Sequence, residues 1–236
     1  NNIITLTEPG ALTTTIVGTD AICIGGSTGA ADLTPSGGTP PYTFLWSNAA
    51  TTEDISGISA GTYTVTLTDS CNAVIIVSFV VNEPPAIITS IGQTDITCNG
   101  AINGVADLSV TGGTLPYSYL WSNAETTQDI FGLDTGTFSV IITDSCGINA
   151  YDTIIITQPD MLSKTISKTD VTCNSGVNGT ATVTLTGGTT PYIYLWNNGQ
   201  TSSTAVNLFV GNYTVSLSDA NGCTTSATVT VNQPAP

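Results

Sequence analysis

Six cysteines are the residues best equipped for chemistry in this 236-residue chain. Thiols in this number could hold zinc or form disulfides. Zinc sites draw on histidine and closely spaced cysteine pairs. The chain has no histidine and no C-x-x-C pair, so the cysteines read as a disulfide framework, which needs an oxidising compartment. Carboxylates come second. Asp20, Asp95 and Asp170 recur at a fixed interval and are the candidate calcium ligands, since calcium gathers about six to eight oxygens from carboxylates and backbone carbonyls. The competing role is to accept backbone hydrogen bonds in turns, and the absence of a dense D-x-D signature favours it. Glu53 and Asp54 superficially offer the carboxylate pair of a glycosidase. Neighbours on a strand point to opposite faces, however, and the third copy carries Ser203 and Thr204 at these positions.

The remaining inventory argues for a non-enzymatic chain. General acid–base and phosphoryl-transfer sites lean on His, Lys and Arg, and only Lys164 and Lys168 represent all three types. Seventeen acidic residues give a net charge of −15. Such a surface argues against nucleic acid, whose phosphates are bound by neutralising cations, and against anionic membranes. With 40% hydrophobic residues and scattered acids the chain should fold. No membrane span is expected, because the longest apolar run, Ala73 to Val81, is broken by Ser78 and falls far short of about 20 residues. The absence of a signal peptide fits a chain that begins in mid-protein.

A period of 75 residues organises these groups. It relates Cys23, Cys98 and Cys173; Trp46, Trp121 and Trp196; and the pairs Glu8-Pro9, Glu83-Pro84, Gln158-Pro159 and Gln233-Pro234. Three modules follow, 10–84, 85–159 and 160–234, and residues 1–9 read as the last strand of an upstream module, Ile4 and Leu6 aligning with Phe79 and Val81. A repeat that folds as a unit favours pairing within itself, hence Cys23 with Cys71, Cys98 with Cys146 and Cys173 with Cys223, at spacings of 48, 48 and 50. The longer spacing is attributed to an inserted Asn221-Gly222 turn. Each bridge would contribute about 4 kcal/mol in the chain-entropy view.

The elements that must position these groups are strands. Tyr63, Val65 and Leu67 alternate with threonines, and the apolar positions return at Phe138, Val140 and Ile142 and at Tyr213, Val215 and Leu217; a period of two marks half-buried strands. Gly-Gly-Thr turns precede an aromatic strand in each module, and no helical stripe survives. The expected fold class is all-β: three tandem immunoglobulin-like antiparallel β-sandwiches of six to seven strands in an elongated array. Trp46, Trp121 and Trp196 fill the cores, joined by Tyr63, Phe138 and Tyr213. The two tyrosines sit where a tyrosine corner forms, which Phe138 cannot make.

The stretches GGTPPYTFLWSNAATTEDISGISAGTYTVTLTDSC, GGTLPYSYLWSNAETTQDIFGLDTGTFSVIITDSC and GGTTPYIYLWNNGQTSSTAVNLFVGNYTVSLSDANGC resemble the SprB repeat family, named for a cell-surface adhesin of gliding Bacteroidetes. The resemblance covers a little under half the chain. It implies export to the cell surface through type IX secretion and a role in adhesion, gliding motility or filament formation. Asp152-Thr153-Ile154 is similar to the O-glycosylation sequon of that phylum, making Thr153 a candidate site. The expectation is an extracellular stalk whose partners are neighbouring repeats, surface polysaccharide or other cells. Assembly into a filament or sheath and a carbohydrate-binding array are the alternatives. No cofactor is expected apart from the calcium candidates.

Overall fold

The computed structural model describes residues 8–235; the expected upstream strand, with Ile4 and Leu6, lies outside the described residues. The first repeat contains β1 (Thr13–Thr19), β2 (Gly29–Ser36), β3 (Thr43–Trp46), β4 (Ile55–Ile58), β5 (Gly61–Thr68) and β6 (Val74–Val81). The second contains β7 (Ile88–Thr94), β8 (Gly104–Thr111), β9 (Ser118–Trp121), β10 (Ile130–Leu133), β11 (Gly136–Thr143) and β12 (Asn149–Ile156). The third contains β13 (Ser163–Thr169), β14 (Gly179–Thr186), β15 (Ile193–Trp196), β16 (Thr204–Leu208), β17 (Gly211–Ser218) and β18 (Thr224–Val231). Among the described residues there is no helix.

Each repeat forms two three-stranded sheets. In the first the orders are β1-β2-β4 and β3-β5-β6, all antiparallel, and the other repeats reproduce them. Lettered as in immunoglobulin domains, these are A-B-E facing C-F-G, the constant-type arrangement without strand D. The alternation read from the sequence has its physical counterpart here. Val65, Leu67, Val215 and Leu217 are buried, whereas the intervening Thr66 and Ser216 lie on the other face, as strand geometry dictates. Pairing of the short fourth strand is interrupted by one extra residue. Gly57 and Gly132 occupy that bulge with φ of 67° and 64°, and Asn207 takes it in the third repeat at 54°, a left-handed conformation suited to Gly and tolerated by Asn.

The tryptophans are nearly inaccessible, and each indole N–H donates to a carbonyl six residues on: Trp46 to Thr52 (2.9 Å), Trp121 to Thr127 (3.0 Å) and Trp196 to Ser202 (2.9 Å). A buried indole thus keeps its one donor satisfied. Tyr63 and Tyr213 are half-buried, and their hydroxyls donate to the carbonyls of Ser59 (3.0 Å) and Phe209 (3.3 Å), four residues upstream. Phe138 is half-buried and has no hydroxyl to do so. A second tyrosine clasp was not anticipated: Tyr42, Tyr117 and Tyr192 donate to the carbonyls of Gly37, Gly112 and Gly187. Gly37 has φ of 68°, and a Cβ there would lie 2.0 Å from the Ala11 carbonyl oxygen, which explains a glycine at that turn.

Contacts divide the chain into two compact units. Among the described residues the first comprises 8–89, 110–119 and 141–151, and the second comprises 90–109, 120–140 and 152–235. The division passes through the middle repeat because its B–C loop and F–G turn are bonded to the first repeat.

Candidate functional site: the linked repeat junction

The site is built from two loops at opposite ends of a sandwich. The A–B loop follows β1, and the backbone of Ala21 donates to Asn82 at the end of β6 (2.8 Å). The F–G turn joins β5 to β6 at the far end, where Thr68 faces Val74. Cys23 lies in the first and Cys71 in the second. Seven strand steps at about 3.3 Å each put these ends roughly 23 Å apart, whereas a disulfide needs Cα atoms about 4.4–6.8 Å apart.

Pairing within a repeat is therefore ruled out by the geometry, and that expectation is corrected. Cys23 bonds to Cys146 and Cys98 bonds to Cys223, with Cα–Cα distances of 5.8 and 5.7 Å and sequence separations of 123 and 125. The A–B loop of one repeat is joined to the F–G turn of the next. Cys71 and Cys173 are unbonded and exposed. Two bridges among the described residues replace the three expected.

The F–G turn owes its shape to one aspartate. Asp69 Oδ1 accepts from the backbone N–H of Cys71 (2.9 Å) and Ala73 (2.8 Å), and its Oδ2 accepts from Thr39 (2.9 Å) in the B–C loop. Asp144 and Asp219 repeat the pattern with Cys146, Ile148 and Thr114, and with Asn221, Cys223 and Thr189. All three are buried. The turn has the same length in every repeat, with a left-handed fourth residue, Asn72, Gly147 or Gly222. No insertion separates the third repeat from the others. Its cysteine occupies the fifth place of the turn, and those of the first two occupy the third.

Backbone donation from Thr39, then Ala73, holds the Asp69 carboxyl below its ordinary pKa, against the opposing effect of burial. For Asp144 and Asp219 burial is the largest single influence and raises the pKa, but the backbone N–H groups together outweigh it. Asp95 and Asp170 are also lowered, chiefly by the N–H of Thr157 and Asn232. A depressed folded pKa contributes stability that is complete above the unfolded value, about 3.9, and is lost as pH falls through the folded one. Thermal melts should thus be level from pH 7 to about 5 and fall steeply below about pH 4. A melting temperature unchanged down to pH 2 would contradict this assignment.

The opposite loop is braced by the recurrent aspartates and by the acceptor that precedes each linker proline. Asp20, Asp95 and Asp170 each accept from the backbone at the end of their own repeat, Asn82 (2.8 Å), Thr157 (2.8 Å) and Asn232 (2.7 Å). Glu83, Gln158 and Gln233 accept from the backbone N–H of Gly25 (2.6 Å), Gly100 (2.7 Å) and Ser175 (3.2 Å). The recurrence of an acceptor before each proline was the available signal. Asp54 accepts from the Leu33 N–H (2.9 Å), so it is a strut between strands. Among the described residues no cluster of three or more metal-ligating side chains occurs.

One further bond crosses each junction. The Thr114 hydroxyl donates to the Ile22 carbonyl (2.8 Å), and the Asn221 amide donates to the Thr97 carbonyl (2.9 Å). The sequence marked both residues only as members of turns, because Thr and Asn are too common to signal a partner.

The strand orders define this chain as a tandem array of immunoglobulin-like sandwiches joined by disulfides between consecutive repeats. The SprB repeat family matches it three times, at residues 15–51, 90–126 and 165–201. Over those three stretches, a little under half of its length, the chain is similar to the SprB repeat family. No curated protein sequence matches it. Solved structures to which it is similar include Sidekick-1 immunoglobulin domains 1-5, at 11% identity and a TM-score of 0.42, covering 96% of this chain and 60% of that one. Drosophila OTK extracellular domains 3-5 are similar at 10% identity and a TM-score of 0.27, covering 96% and 98%. At these identities the likeness concerns fold alone.

Proposed function

We propose that this chain is a load-bearing, non-enzymatic repeat region of a cell-surface adhesin, with residues 10–84, 85–159 and 160–234 as its modules. The observation that carries the reading is that two covalent links join consecutive repeats, the peptide linker near Glu83-Pro84 or Gln158-Pro159 and a disulfide. A single linker is a hinge, and a second link at a separate point removes most of its freedom. Disulfides also support an extracellular, oxidising location, reached by type IX secretion if the family resemblance extends to its export route. Adhesion or gliding motility is the role such a stalk would serve, its partners being other cells or surface polysaccharide. Weak contacts would add up over many copies. Thr153, exposed on the edge strand β12, is offered as a glycosylation position.

Tryptophans that are about 2% exposed or less cannot stack on sugars, which weighs against a carbohydrate platform at Tyr42 and Trp46. A net charge of −15 weighs against close lateral packing into a sheath. Immunogold microscopy of intact producing cells, with an antibody raised to this chain, is expected to decorate thin single fibres outside the cell. Label confined to the interior, or to a regular assembly of many chains, would overturn the stalk reading.

A further inference from the structure

We infer that Cys71 and Cys173 are two open halves of the same junction, that each takes the complementary cysteine of a further SprB repeat, and that two copies of this chain can supply it to one another through a Cys173–Cys71 disulfide. The inference rests on the load-bearing reading only for its biological meaning; the chemistry follows from internal comparison.

Cys71 stands 75 residues before Cys146, in a turn held by the same aspartate bonds. Cys173 stands in an A–B loop whose backbone repeats the two bonded examples. Gly176 N–H donates to the Cys173 carbonyl at 2.9 Å, as Gly26 does to Cys23 and Ala101 to Cys98. Val171 N–H donates to Asn232 as Ala21 does to Asn82. Both halves are therefore built before a partner arrives. The four bonded cysteines are half-buried, whereas Cys71 and Cys173 are exposed.

A second observation is independent of the thiols. Beside Cys71 lies a shallow cleft of about 310 Å³, lined by Glu8, Pro9, Thr39, Asp69 and Ala73. Thr39 is the counterpart of Thr114, whose hydroxyl bonds to the Ile22 carbonyl of the preceding repeat. The cleft thus presents the surface that, in the second repeat, meets an A–B loop.

The bond forms by exchange with a small disulfide such as oxidised glutathione. The Cys173 thiolate attacks it, giving a mixed disulfide and one small thiolate. The Cys71 thiolate of a second chain then attacks the Cys173 sulfur and displaces the other small thiolate. Two protein thiols become one disulfide, the small disulfide is reduced to two thiols, and the two protons pass to the leaving thiolates.

The test uses the chain with Cys23–Cys146 and Cys98–Cys223 intact, held in a glutathione redox buffer and followed on non-reducing gels and by peptide mass spectrometry. The native chain is expected to give a ladder. Cys71→Ser and Cys173→Ser should each lose it and remain monomeric, while their mixture should give a dimer and nothing larger, with a peptide joining Cys71 to Cys173. Equal formation of Cys71–Cys71 or Cys173–Cys173 dimers, an intrachain Cys71–Cys173 bond, or no cross-link would overturn the proposal. Such a failure would leave the load-bearing reading standing, because that depends on the two bonds already present.

Discussion

Pulled from its two ends with both disulfides intact, the fully unfolded chain is expected to stop at roughly 290 Å, and after reduction at roughly 800 Å, taking about 3.4 Å per extended residue. The difference follows from how the bonds overlap. Cys23–Cys146 and Cys98–Cys223 enclose intersecting segments. The shortest covalent route runs from Asn1 to Cys23, crosses to Cys146, returns along the chain to Cys98, crosses to Cys223 and ends at Pro236. That route contains about 85 residues, and the rest remains slack. Pairing within each repeat would direct the chain forward throughout yet give a similar route of about 90 residues, so the pulled length reports that bridges exist and peptide mapping reports which cysteines they join. Single-molecule pulling with and without reductant measures the two lengths directly. A near equality of the two would mean that the bonds between repeats do not exist in the protein.

Replacing Trp196 with alanine is expected to unfold the third repeat while leaving the first folded. Trp196 is 1% exposed and packs within a cluster that includes Val183, Leu185, Leu208, Val215 and Leu217. Truncating a buried Trp costs about 3–5 kcal/mol. A sandwich of this size has roughly 4–11 kcal/mol in all, at about 0.05–0.15 per residue. The substitution also leaves the Ser202 carbonyl without its indole donor. A fall in melting temperature of about 15–30 °C for that repeat is expected, together with proteolysis confined to 160–234. Cys98–Cys223 would still hold the unfolded segment to its neighbour. A loss of only a few degrees would show that the indole is not the centre of the core.

The strands and their faces were legible because they depend on local rules. A side chain at every second position must be apolar if one face is buried, and Val65 with Leu67 or Val215 with Leu217 state that pattern without help from the rest of the chain. The repeat length was legible for the same reason, since identical units carry identical landmarks. The tyrosine corner at Tyr63 and Tyr213, and its impossibility at Phe138, needed only the presence or absence of a hydroxyl. The use of Asp20, Asp95 and Asp170 was half legible. Their recurrence marked them as structural or metal-binding, and only their position beside Asn82, Thr157 and Asn232 showed which backbone groups they receive.

Amino-acid order by itself determined an all-β chain of three like units with cysteines two to a unit. The tertiary structure alone decided which cysteines meet. Spacing along a chain does not say at which end of a sandwich a loop will lie. Cys23 and Cys71 are closer in sequence than Cys23 and Cys146, yet an antiparallel strand pair carries them to opposite ends of one module, and the stacking of the next module brings the more distant cysteine within bonding range.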